Sequence, residues 1–182
     1  SKASKPGTPA HDDLVKRVFT AEAPNQLWLT DLTEHWTGEG KLYLCAIKDV
    51  WSNRIVGYSI DSRMKARLAV AAIDNAVARR GGDVAGCILH SDRGSQFRSR
   101  KAQRALDRHE MVGSMGQVGS AGDNAAMESF FALLQNNVLD RQPWAARDDL
   151  RIAIVTWIER ANHRRRRQDT PGRLAPLTTR SS

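Results

Sequence analysis

Three strand-like runs follow one another almost without interruption: Leu27–Trp36, Lys41–Val50 (KLYLCAIKDV) and Arg54–Ile60 (RIVGYSI). Only a few residues separate them, the second link being the turn at Ser52-Asn53. Links this short do not bring a chain back to start a parallel neighbour, which takes a crossover of about a dozen residues or more. The three runs are therefore expected to form an antiparallel meander.

Beyond the meander the period changes. Ala66–Arg80 is Ala-rich, with Leu68, Ala72, Ile73, Ala76 and Val77 at helical spacing, and Gly81-Gly82 stop it. Gly86–His90 (GCILH) reads as a short apolar strand, Arg98–Glu110 as a helix and Met111–Met115 as a brief last strand. After a Gly/Ser loop from Gly116 to Gly122, two long helices are expected at about 123–139 and 146–164. The order β-β-β-α-β-α-β-α-α implies an α/β fold, a mixed five-stranded sheet covered by helices on both faces. A ribonuclease H-like domain has this order, although order alone is weak evidence. Residues 1–24, with Pro6, Gly7, Pro9 and Pro24 and no sustained periodicity, read as a flexible arm. The core is expected over 25–165 and a basic tail over 166–182.

Charge narrows the partner. Among 182 residues, Lys and Arg number 28 and Asp and Glu 20, giving 28 − 20 = +8. Such an excess points to a polyanion, nucleic acid before an anionic membrane surface. No apolar run approaches the ~18 residues that span a bilayer, so neither insertion nor secretion is expected. Cys45 and Cys87 lie far apart in apolar strand-like runs and suit neither a disulfide framework nor a zinc site.

The informative residues are three carboxylates. Asp31 lies inside the first strand, in an apolar stretch where a carboxylate costs several kcal/mol to bury unless it is paired or binds a metal. Asp92 ends the GCILH strand, where Gly94 permits a sharp turn, and strand ends are where α/β proteins place their chemistry. Glu128 stands beside a helix face made of Met127, Phe130, Phe131 and Leu134, with Asn124 four residues earlier on its side. Singly, each acid has a structural explanation: a strand-end polar group, a turn residue, a helix-surface acid. Asp123, at a helix start, reads as an N-cap. Taken together, the acids are spaced by 92 − 31 = 61 and 128 − 92 = 36 positions.

On that spacing the chain resembles the catalytic cores of DDE transposases and retroviral integrases, and most closely the bacterial insertion-sequence transposases of the IS-three family. The matching blocks are TDLTEHW around Asp31, HSDRGSQF around Asp92, GDNAAMESFFALLQ around Glu128 and WIERANHRRRR near the end, so that the likeness covers about residues 20–176. Three positions depart from the family pattern. Gly122 and Ala161 stand where an aromatic is usual, and Gln135, followed by Asn136, where a Lys or Arg often lies. None removes an acid. The departure at Gln135 bears on how the third helix grips DNA.

The resemblance implies DNA cleavage and strand transfer at two Mg²⁺ (or Mn²⁺) ions, with Asp31 bridging both and Asp92 and Glu128 each holding one. Carboxylates are hard oxygen donors suited to these cations, and two ions ~3.5–4 Å apart can assist attack and departure at one phosphorus. Water would first free a 3′-hydroxyl at the element's end, and that hydroxyl would then attack a second phosphodiester. In the family this first joins the element's two ends, before a circular form is inserted into target DNA. The implied setting is DNA in a bacterial cytoplasm, at the nucleoid, with a homo-oligomeric active complex.

Gln96 and Asn124 are candidate contacts to the substrate backbone. Arg164, Arg165, Arg166 and Arg167 exceed what capping a helix C-terminus needs and are expected on DNA phosphates. They end a helix read as built on Ile152, Val155, Trp157 and Ile158. His90 reads as a packed, hydrogen-bonded histidine, and the five tryptophans read mostly as core or sheet-face residues. Two other classes fit fewer features: a DNA-binding module of a larger assembly without activity of its own, and a ribonuclease H-like nuclease.

Overall fold

The computed structural model describes residues 13–15, 20–92, 96–116 and 125–169. The meander forms as expected, with β1 at Leu27–Thr37, β2 at Gly40–Asp49 and β3 at Arg54–Asp61. Then come α1 (Ala66–Arg79), β4 (Ile88–Ser91), α2 (Arg100–Arg108), β5 (Val112–Met115), α3 (Ala125–Asn137) and α4 (Arg147–Asp169). Short 3-10 turns precede α2 at Gln96–Arg98 and follow α3 at Leu139–Arg141. The sheet order is β3-β2-β1-β4-β5. β1 pairs antiparallel with β2 and β2 with β3, whereas β4 is parallel to β1 and to β5.

Alternation along the strands divides the core in two. Trp28, Cys45, Ile47, Val56 and Leu89 face α1 and α2. Leu27, Leu29, Leu44, Ala46 and Ile55 face α3 and α4. One core is sealed by α1, whose small residues let it sit almost on the sheet. A Cβ placed on Gly57 of β3 would lie 2.5 Å from the backbone nitrogen of Ala76 and 2.6 Å from its Cα. Both cysteines are buried and free, and burial pushes each thiol up to about 12, the charge of Asp31 adding to the effect at Cys45 and that of Asp49 at Cys87.

The β2–β3 turn is built around Asp49, whose fully buried carboxylate accepts from Asn25 N (3.1 Å), Ser52 N (2.9 Å) and Ser52 Oγ (2.7 Å). Part of the expected arm is docked: Val15 is buried in the α3–α4 core and Leu14 N donates to Ser114 Oγ on β5. At the other end, α4 continues past 164 through the arginine run to Asp169. Its buried stripe is Leu150, Ile154 and Ile158, and Ile152, expected inside, is 63% exposed. Trp28 is fully buried and Trp144 and Trp157 pack on the core, Trp36 stands on an exposed part of β1, and Trp51, exposed in the turn after β2, is neither core nor sheet face. Lys41 Nζ sits 5.0 Å above the Trp36 ring.

Candidate active site

The parallel pairing of β1 with β4 sets the site. Leu27, Trp28 and Leu29 stand opposite Ile88, Leu89 and His90, a constant offset of 88 − 27 = 61. The pairing ends at Leu29 and His90; Asp31 and Asp92 lie two positions further along each chain at the same offset, 92 − 31 = 61. Neighbouring strands lie about 4.8 Å apart, so two acids distant in sequence come to one level of the sheet. Parity assigns the face: Leu27 and Leu29 point toward α3 and α4, and Asp31 follows them. Asp92 lies just past the last residue of β4, at the carboxyl end of the parallel strands and beside the point where strand order reverses. Open α/β sheets bind ligands at such points.

The third acid comes from the helix packed over this face. α3 lies against β1 through Met127, Phe130 and Leu134, all buried, with Phe131 half-covered. Glu128 is in its first turn and exposed. Asp31 and the helix that carries Glu128 therefore lie on one side of the sheet. Asp31 is half-buried, with its Oδ1 2.8 Å from Leu32 N, and Asp92 is exposed. Among the described residues no three His, Cys, Asp or Glu side chains converge on a point where a metal ion would sit. Close approach of three carboxylates costs like-charge repulsion that a bound cation would relieve. The donor chemistry is all carboxylate oxygen, with two of the three groups open to solvent, which suits Mg²⁺ or Mn²⁺ and leaves room for a phosphate.

His90 is buried, its Nδ1 2.8 Å from Ser114 Oγ, in keeping with the packed reading. Gln96 opens the 3-10 turn just beyond Asp92 and is half-buried. Asp123, Asn124 and Gly122 lie outside the described residues, as does the Arg166 side chain. The arginine run does not act as a block. The Arg165 guanidinium turns inward and donates to the carbonyls of Ser52 and Asn53, while Arg164 and Arg167 are exposed. Gln135, at one of the departures from the family pattern, donates its amide to Asp140.

Sequence reasoning misses one residue. Lys48, near the end of β2, is 7% exposed, and its Nζ donates to the Ala126 carbonyl (3.2 Å) in the first turn of α3. Burial, then the nearby Arg165, pushes its pKa below the usual lysine range. It pins the helix two residues from Glu128. The signal was a lysine where strand alternation calls for an apolar residue, in LYLCAIKDV.

Comparison with known proteins agrees with this architecture. An integrase core domain family matches residues 21–121, and a second integrase core domain family matches 110–176. The chain is 38% identical over 170 residues to the transposase InsF of insertion sequence IS3A from Escherichia coli K12, covering 93% of this chain and 59% of that protein. It is 36% identical over 157 residues to the transposase of IS629 from Shigella sonnei, covering 86% and 52% respectively. The chain thus spans under two thirds of the length of these relatives. In fold it is similar to the HTLV-2 integrase catalytic core domain in complex with magnesium, with a TM-score of 0.57 at 17% identity over 76% of this chain and 86% of that one. A chain of the simian T-cell lymphotropic virus intasome gives a TM-score of 0.62 at 16% identity, over 85% of this chain and 54% of that one. With more than half of its length matched by the family model, the chain belongs to the integrase core domain family.

Proposed function

We propose that this chain is the catalytic core of an insertion-sequence transposase, which cuts and joins DNA by metal-dependent phosphoryl transfer at Asp31, Asp92 and Glu128. The observation that carries the reading is the β1–β4 register. Its offset, carried two positions past the last paired residues, matches the spacing of Asp31 and Asp92, and the helix that bears Glu128 packs over the face on which Asp31 falls.

A bound divalent cation supplies charge neutralisation at the phosphate and activation of a water or a 3′-hydroxyl. Asp31, on the central strand, would hold the cations together with Asp92 and Glu128. The exposure of Asp92 and Glu128 lets a DNA strand reach them, while the sheet beneath fixes Asp31. Gln96 and Asn124 contact the strand's backbone, and Arg164, Arg166 and Arg167 contact phosphates. Arg165 reaches DNA only by giving up its two carbonyls. The HTLV-2 core is recorded in dimeric and trimeric forms, and a homo-oligomer is proposed here too, acting on DNA at the bacterial nucleoid.

The test is the complete transposase incubated with a labelled duplex carrying an end of its element, in Mg²⁺ or in EDTA. End-to-end joined product in Mg²⁺ alone supports the reading. Cleavage of an RNA–DNA hybrid without joining replaces it with the nuclease, and DNA binding without either reaction replaces it with the inactive module.

Lys48 gives a narrower prediction. Lys48→Met keeps the buried stem but removes the donor to Ala126, loosening the first turn of α3. Joining should slow by roughly ten- to a hundredfold, the range seen when a group supporting a metal ligand is removed. The melting temperature should stay level or rise, because a poorly compensated buried charge is removed. Single-turnover rates beside a thermal melt separate these effects, and a loss of Tm in proportion to the loss of rate would reduce Lys48 to a fold determinant.

A further inference from the structure

Behind α3, a cleft of about 420 Å³ opens between α4 and the 3-10 turn at Leu139–Arg141. That volume lies within the range of ordinary ligand sites. Arg141 and Trp144 form one wall and Trp157, Arg160 and Arg164 the other, with Asn137 at the end of α3 between them. On α4 the residues Ala153, Trp157, Arg160 and Arg164 recur at i, i+4, i+7 and i+11, one stripe roughly 16 Å long at 1.5 Å per residue. Exposed Arg167, one turn on, prolongs it.

Charge decides what the cleft can hold. Four arginines elsewhere pair with acids, Arg67 with Asp61, Arg79 with Glu159, Arg80 with Asp49 and Arg108 with Asp74, and others, such as Arg147 and Arg151, donate to carbonyls. Among the described residues, no Asp or Glu lines this cleft. Three guanidinium groups around one hollow repel one another unless an anion lies between them. Arginine's planar fork suits phosphate in particular. The aromatic walls are fixed in place: Trp144 Nε1 donates to the Leu139 carbonyl (3.2 Å) and Trp157 packs on Phe130 with ring centroids 5.6 Å apart. Both indoles are half-buried and present apolar surface that a sugar can cover.

The cleft does not continue the candidate active site. Asn137 lies 137 − 128 = 9 residues beyond Glu128, and at about 100° per residue this places the two on opposite sides of α3. We propose that the cleft is a second DNA site: it seats a backbone phosphodiester between Arg141, Arg160 and Arg164, with the sugar against Trp144 and Trp157. The site holds a duplex segment other than the one at the carboxylates, and reads no sequence. The proposal rests on DNA being this protein's substrate.

The experiment is fluorescence anisotropy of the complete protein on a labelled mixed-sequence duplex across a salt series. Arg141→Ala/Arg160→Ala should weaken binding to all sequences alike and flatten the slope of log affinity against log salt by up to about two units, ~0.9 for each phosphate no longer neutralised. Arg67→Ala/Arg108→Ala removes the same charge from α1 and α2 and should leave the slope nearly unchanged. Trp144→Phe should reduce the quenching of tryptophan emission on DNA binding. An unchanged slope for the cleft variant, or an equal change in the control, overturns the site. So does weakened self-association in sedimentation with DNA binding intact, which would make the cleft an interface between copies. Joining by the unmutated protein is scored separately. Its absence would overturn the function, whereas its presence beside an unchanged slope overturns the cleft alone.

Discussion

Asp31→Asn, Asp92→Asn and Glu128→Gln each remove Mg²⁺-dependent joining of element ends while leaving the protein folded. The loss should be roughly a thousandfold or more, the scale expected when one member of a set that acts as a unit is deleted. The amides keep shape and hydrogen-bonding capacity, and in Asp31→Asn the side-chain carbonyl would still accept from Leu32 N, as the Asp31 carboxylate does at 2.8 Å. They remove only the negative oxygen that a hard cation requires. Stability should hold or improve, because each change dilutes a group of like charges. A second measurement isolates the cation. At Mn²⁺ a hundredfold above its Kd, binding stabilises the unmutated protein by about 2.7 kcal/mol. For a chain of this length that is a rise of about 5–11 °C in Tm relative to EDTA. The triple variant should show none of it. If joining survives the loss of any one acid, the site has been assigned to the wrong residues.

The largest expected loss of stability is at Gly57→Ala. The added Cβ would lie 2.5 Å from the Ala76 nitrogen and Cβ and 2.6 Å from its Cα. Those atoms belong to the backbone and first carbon of α1, so no rotamer change relieves the clash. Either α1 lifts from β3, opening the core it shares with Ile73, Ala72 and Val56, or β3 is displaced from β2. Overpacking of this kind costs about 3 kcal/mol or more, lowering Tm by about 6–12 °C. Ala76→Gly in the same chain should recover little, since it removes one of three colliding atoms. Full rescue would show that α1 approaches the sheet through side chains rather than backbone. Urea melts of the two variants and their combination distinguish the cases.

The sheet and its helices were legible because each element carries its own period. Leu68, Ala72, Ile73 and Ala76 mark a helix, and the closely linked runs from Leu27 to Ile60 mark a meander. The three acids were legible from spacing and resemblance. What escaped was everything that depends on which element lies against which. Ile152 looks as apolar as Ile154, but only docking on the sheet decides that α4 buries Leu150, Ile154 and Ile158. The four arginines are identical in sequence, yet Arg165 falls on the inward side and is taken by the carbonyls of the β2–β3 turn. Lys48 could not be tied to Ala126, 78 positions later, before the packing of α3 over β2 was known. Trp36 and Trp51 carry no local sign that their part of the surface stays uncovered. The cleft arginines Arg141 and Arg160 are separated by a loop and most of a helix, and nothing local pairs them.

The offset that brings Asp31 to Asp92 is a property of register and not of chain length, and this has a consequence for what insertions the protein tolerates. Residues added at the β2–β3 turn around Ser52, or at the Gly81-Gly82 end of α1, change the count between the two acids without moving either. A single residue added inside β4, between Ile88 and Ser91, leaves the count almost the same and turns Asp92 to the face occupied by α1 and α2. Length is therefore a forgiving quantity in the loops of this interval and an unforgiving one in its shortest strand.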